Sequence, residues 1–234
     1  MSFPEIVAHR GLASVAPENT LAAFAAALEA GLKHLECDVL LSKEGAPVVF
    51  HDRDLRRLCG VEGTVHELEL ARLRRLSVRG EPVPALEELV QLLRRHPGAT
   101  LHIEAKRQAM EAHGRECVLE AIARASEPLS TRASLISFDL EFLELARART
   151  KQRIGAVCAT HAQARTSAVA RLAPDYVFVD RAGLPAEGHL GLPGADLVVY
   201  EVQDADMARE LRRRGARMVE SFDGARLARE LVGA

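Results

Sequence analysis

The chain has 234 residues, with 31 Lys and Arg against 33 Asp and Glu, and its net charge of -2 supplies no global field to draw in nucleic acid or an anionic membrane. No apolar run approaches the roughly 18 residues that a membrane span needs, and the N-terminus enters a strand pattern by Ile6 without a leader-like segment, so a cytoplasmic location without stable membrane association is expected. Cys37, Cys59, Cys117 and Cys158 stand singly with no CxxC pair, which fits reduced thiols and argues against a disulfide framework or a zinc cluster.

In chain order, short β-branched runs alternate with longer Ala/Leu/Arg-rich stretches of helical period, the pattern of βα units around a parallel sheet in one domain over residues 1–234. Strands are predicted at 6–9, 34–40, 47–51, 100–104, 133–138, 153–159, 176–180, 197–202 and 217–222. That is one more than a (β/α)8 TIM barrel holds. The surplus falls where only "SKEGA" separates two apolar runs, too short for the crossover of about a dozen residues that parallel neighbours require. Part of 39–43 is therefore expected to run backwards, turning at Glu44 and Gly45, as a local irregularity between strands 2 and 3. Asn19 or Thr20 is expected to cap the helix "LAAFAAALEAG", with Gly31 just past its end, and Asp204 to cap "ADMARELRRRG", which stops at Gly215.

Apolar strands ordinarily finish in turn residues, yet several here finish in ionisable ones: His9 and Arg10, Glu36 and Asp38, His51 and Asp52, Glu104 and Lys106. In a barrel all these ends fall on the C-terminal face, where active sites of this fold lie. Glu36 and Asp38 are two apart on one strand and share a face, and Glu104 on another strand can join them. Three inward carboxylates either hold a hard divalent cation on all-oxygen ligands, Mg²⁺ or Ca²⁺, or are salt-bridged to Arg10 and Lys106. His9 and His51 are two groups suited to moving one proton on and one off near neutral pH. Arg10 and Lys106, cations on the same rim, suit an anion whose charge grows during reaction, most simply a phosphate. The other histidines, among them His102 and His161, lack a second ligand at a convincing spacing and read as structural or solvated.

With these residues in place, the chain resembles the glycerophosphodiester phosphodiesterase family of phospholipase C-like barrels. The matching motifs are "HRG" at 9–11, "PENT" at 17–20, "ECDV" at 36–39, "HD" at 51–52, "IEAK" at 103–106, "SF" at 137–138 and "VYEVQ" at 199–203. The resemblance implies a (β/α)8 barrel that hydrolyses small phosphodiesters such as glycerophosphocholine to sn-glycerol 3-phosphate and an alcohol. It implies one divalent cation on Glu36, Asp38 and Glu104, an acid/base pair in His9 and His51, and phosphate binding by Arg10 and Lys106. His9 is the preferred base and His51 the preferred acid. Phe138 and Tyr200 are candidate substrate walls, with Glu18, Asn19 and Asp52 supporting the rim from behind. The expected partner is a small-molecule phosphodiester, with no nucleic acid, and the chain is expected to act as a monomer or homodimer.

The sequence departs from the family's pattern at its C-terminal end. Tyr200, Glu201, Val202 and Gln203 stand where Trp-Thr-Val-Asn is common, Ser221 and Phe222 where a Thr-Asp pair is common, and the compact 53–83 segment has no aromatic substrate loop. Glu201 would favour a cationic head group if it faces the site, or else points away. A lysophospholipase D-type substrate and a barrel that binds a phosphorylated ligand without catalysis are the alternatives.

Overall fold

A computed structural model describes residues 3–233. Eleven strands appear among them: β1 (Glu5–Ala8), β2 (His34–Leu41), β3 (Pro47–Val49), β4 (Ser77–Val78), β5 (Glu81–Pro82), β6 (Thr100–Ala105), β7 (Ala133–Ser137), β8 (Arg153–Cys158), β9 (Tyr176–Asp180), β10 (Asp196–Tyr200) and β11 (Met218–Ser221). Eight of them run parallel in the order β1-β2-β6-β7-β8-β9-β10-β11, and β11 pairs again with β1, so the sheet closes into a barrel with helices on its outside.

The ninth strand of the main sheet is β3, and it corrects the expected irregularity. Residues 39–41 do not run backwards; they continue β2 beyond the last residue that pairs with β1. The backbone reverses in the Ser42–Gly45 turn, where Gly45 adopts φ +85, and β3 returns antiparallel against Val39, Leu40 and Leu41. The Phe50 amide then bonds the Asp38 carbonyl at 3.0 Å, which delivers His51 to the rim beside the β2 carboxylates. β4 and β5 form a small separate hairpin within the compact segment that precedes β6.

The period-2 geometry of the strands sorts the rest. Leu35, Cys37, Val39, Leu101, Ile103 and Leu135 face outward into the main core under the helices. The opposite set, Val7, Ile136, Val157, Tyr176, Phe178, Val198 and Met218, fills the barrel interior with buried apolar side chains. This plug supports a polar layer above it, built from Glu36, Asp38, Glu104 and Glu220 on the strands and from His9, His51 and Lys106 just past strand ends. A Cβ at Gly155 would meet Ile136 Cγ2 at 2.9 Å, so β8 leaves room there for its neighbours' larger side chains. Helices begin promptly after the rim because strand-end loops supply their caps. Thr20 Oγ1 accepts from Ala23 N at 3.2 Å and Asp204 Oδ1 from Met207 N at 2.8 Å. Thr20, not Asn19, is thus the first helix's cap, and Gly31 and Gly215 take positive φ beyond the ends of their helices.

Candidate active site

His9, Arg10, Glu36, His51, Glu104, Lys106, Phe138 and Tyr200 line one cavity of about 170 Å³ at the C-terminal end of the barrel. Every one of these was expected there. The β2–β6 register sets Asp38 opposite Glu104. One carboxylate oxygen from each of Glu36, Asp38 and Glu104 lies within 4.8 Å of the other two.

The electrostatics of this trio are severe. Burial pushes the Glu36 carboxyl well above its ordinary range, and the neighbouring Asp38, Glu220 and Glu104 charges push it further. Glu104 is raised for the same reasons, burial first and Asp38 second. Asp38, fully buried, resists: burial disfavours its charge, but Lys106 and Arg10 overcome that and hold its carboxyl well below the usual carboxylate range. Lys106 Nζ lies 3.2 Å from Asp38 Oδ1 and 3.0 Å from Glu104 Oε1, and Arg10 Nε lies 3.1 Å from Asp38 Oδ2. Salt-bridging and a clustered carboxylate trio therefore coexist.

The donor set fits a hard dication. The oxygens come from three carboxylates, Glu36 Oε1 is a buried acceptor with no partner, and two of the three carboxyls are disfavoured as anions until a cation joins them.

"HRG" and "PENT" close the near side. Arg10 adopts φ +56, unusual for a residue with a side chain, and its amide donates to Glu36 Oε2 at 3.1 Å. Gly11 follows at φ +81, where a Cβ would sit 2.7 Å from the Ala23 carbonyl carbon, so the loop packs directly on the first helix. Asn19, also left-handed, donates Nδ2 to Asp38 Oδ2 at 2.8 Å, and Glu18 accepts from Arg10 Nη1 at 2.8 Å.

The two histidines sit in unlike surroundings. His9 is buried and stacked on Phe222 with ring centroids 4.2 Å apart, and burial, helped by the Arg10 cation, pushes its imidazole down to about 3. His51 is partly open to solvent, with Nδ1 2.6 Å from Asp52 Oδ1. The Arg57 hydrogen bond is the chief cause that brings the Asp52 carboxyl down to about 2.

Three participants were not foreseen, and a fourth, Glu201, had been left open. Glu220, near the end of β11, is buried against the site; it obeys the same strand-end rule that singled out Glu36 and Glu104, but its apolar and turn-like neighbours hid it. Glu201, left open above, lines the cavity in a left-handed conformation. Phe222, read only as a departure from the Thr-Asp pair, is the stacking partner of His9. Arg57 bonds both Glu18 and Asp52 across 39 and 5 residues of sequence, pairings that only the folded chain reveals.

Residues 9–219 match the model of the glycerophosphoryl diester phosphodiesterase family. The chain belongs to that family. Among curated relatives, it is 38% identical over 96 residues to a glycerophosphodiester phosphodiesterase of Caldanaerobacter subterraneus, covering 38% of this chain and 40% of the relative. It is 34% identical over 110 residues to one from Bacillus altitudinis, covering 44% of this chain and 45% of that protein. The aligned stretches thus span less than half of those relatives' lengths. Solved family structures share the fold end to end. An Oleispira antarctica phosphodiesterase in complex with its product sn-glycerol 3-phosphate superposes with a TM-score of 0.86 at 23% identity, over 99% of this chain and 98% of that one. A glycerophosphodiester phosphodiesterase from Thermotoga maritima gives 0.79 at 23% identity, over 98% and 99%.

Proposed function

We propose that this single barrel domain is a divalent-cation-dependent phosphodiesterase that hydrolyses small glycerophosphodiesters to sn-glycerol 3-phosphate and an alcohol. The observation that carries the reading is one cavity uniting a carboxylate trio, two histidines in opposite environments and two cations, in a chain of this family. Glu36, Asp38 and Glu104 would hold one Mg²⁺ or Ca²⁺, which when bound would neutralise charge building on the phosphoryl oxygens.

The chain's own residues divide the remaining work. Arg10 and Lys106 hold the phosphate, and Asn19, Glu18 and the Glu36 to Arg10 contact keep both cations and carboxylates in place. His9, its imidazole fixed by the stack on Phe222, takes the proton from the glycerol 2-hydroxyl as its oxygen attacks phosphorus. A cyclic phosphate forms and the bond to the alcohol breaks, the departing oxygen taking a proton from His51. Asp52, 2.6 Å from Nδ1, holds the His51 ring in place for that transfer. Water then opens the ring, with the two histidines exchanging roles. Phe138 and Tyr200 wall the cavity, and Glu201 at its edge favours a cationic alcohol such as choline.

Purified protein with Mg²⁺ or Ca²⁺ should release glycerol 3-phosphate from glycerophosphocholine, and EDTA or Glu36→Ala should abolish the release. Activity untouched by both treatments overturns the cation site. Faster turnover of lysophosphatidylcholine than of glycerophosphocholine replaces the substrate class.

A further inference from the structure

The proposed reaction leaves Glu220 without a task. Its side chain is 3% exposed, it faces the cavity, and its Oε1 has no hydrogen-bond partner. The nearby cations are committed elsewhere: Lys106 to Asp38 and Glu104, Arg10 to Asp38 and Glu18. Charge makes the point sharper. Glu36, Asp38, Glu104, Glu201 and Glu220 face two cationic side chains, Arg10 and Lys106, among the described residues around the cavity. With every carboxyl ionised, a single dication would leave that set one charge negative, and an anionic phosphodiester would enter against it.

A second group of ligand atoms resolves the imbalance. One nitrogen of His9 and one carboxylate oxygen each from Glu36 and Glu220 lie within 4.8 Å of one another, and all three residues are buried. His9 Nδ1, Glu36 Oε1 and Glu220 Oε1 are each buried without a partner, and the stack on Phe222 fixes the imidazole. Glu36 belongs to both groups of three. We propose that His9, Glu36 and Glu220 form a second cation site, bridged through the Glu36 carboxylate to the first. One imidazole among the oxygens suits a borderline dication such as Mn²⁺ or Zn²⁺ better than Mg²⁺ or Ca²⁺. Carboxylate-bridged pairs of this kind hold their ions roughly 3.5–4 Å apart.

Occupation has a chemical consequence. A neutral imidazole has one unprotonated nitrogen, so an ion bound there competes with the proton that His9 would accept. The second ion therefore restrains the proposed reaction, and Zn²⁺ added to the Mg²⁺-loaded protein slows turnover.

The inference rests on reading Glu36, Asp38 and Glu104 as ligands of the first cation, and the test separates the two. Chelator-treated full-length protein is titrated with Mn²⁺, free ion being counted by electron paramagnetic resonance. Two ions per chain, with an exchange-coupled signal, are expected. Glu220→Gln should weaken the second ion at least about tenfold while keeping the first. His9→Asn checks the same site with a different ligand, and circular dichroism at each step reports folding. One ion per chain in the wild type, or two that neither substitution disturbs, overturns the second site and leaves the first standing. No bound ion overturns both.

Discussion

Arg57 stands between the two polar arms of the cavity. Its guanidinium bonds Glu18 at 2.9 and 3.1 Å and Asp52 at 2.6 and 2.8 Å, while Glu18 braces Arg10 and Asp52 holds His51. One side chain thereby fixes Arg10 relative to His51. Arg57 is itself half-exposed, and ion pairs at that exposure contribute only about 0–1 kcal/mol to stability. Its removal should act on rate instead. Arg57→Leu is expected to lower kcat/KM for glycerophosphocholine by roughly 10–100-fold, the range typical of residues that orient a site from behind. The melting temperature should change little. Arg57→Lys should recover only part of the loss, since an ammonium cannot bond two carboxylates with a planar fork. A steady-state comparison with parallel melts checks this, and a large fall in stability without a kinetic effect would assign Arg57 to the fold alone. Nothing in the sequence marks Arg57, because it follows the rim in a short helical turn with no strand periodicity to place it.

At the scale of the strand, β6 explains why so much of the site was legible and why part was not. Strand residues alternate faces, so ionisable side chains at Glu36, Asp38 and Glu104 could be assigned to one rim from spacing alone. The same alternation points His102 inward, one layer below Glu104, but nothing local says whether such a residue is buried. It is fully buried, accepting or donating through Nδ1 with Ser134 at 2.7 Å and packed edge-on against Tyr176 and Phe178. The reversal at β3 was located but misassigned to β2, since the turn chemistry at Gly45 marks where the chain bends and not which arm pairs backwards. Burial, aided by His34 and Arg153, lowers the His102 imidazole to about 3. The folded state thus requires it neutral, whereas the unfolded chain takes up a proton near its ordinary value of 6.5. Its stabilising contribution is complete above that value and is lost as pH falls towards 3. Between pH 7 and pH 5 the loss amounts to about 2 kcal/mol. Urea unfolding of the wild type and His102→Gln at both pH values should reveal it, as a smaller fall in stability for the variant. Equal pH slopes in the two proteins would refute the assignment.

The whole molecule was legible as a barrel because repeated βα units allow few other closures, and its near-neutral charge said little except that charge must be concentrated locally. It is concentrated at the rim, where Glu36, Asp38 and Glu220 are buried above the apolar plug of the barrel and Glu104 is partly buried beside them. Packing elsewhere therefore has to hold together a site that repels itself. A cation that binds only the folded barrel should relieve this and stabilise by mass action, about 2.7 kcal/mol at a hundredfold excess over Kd. For a domain of this size that corresponds to a rise in melting temperature of roughly 5–10 °C. Glu36→Gln separates the two contributions, because the amide keeps the shape and can still accept from the Arg10 amide while removing a carboxyl that burial pushes well above its ordinary range. In EDTA the variant should melt above the wild type, its Asp38, Glu104 and Glu220 neighbours no longer facing a fourth carboxylate. In Mg²⁺ or Ca²⁺ the order should reverse, since the variant has lost a ligand. Calorimetric scans of both proteins with and without the ion check the crossing. A wild type indifferent to added cation, or a variant that gains as much from it as the wild type, would mean that the carboxylates are balanced by Arg10 and Lys106 alone.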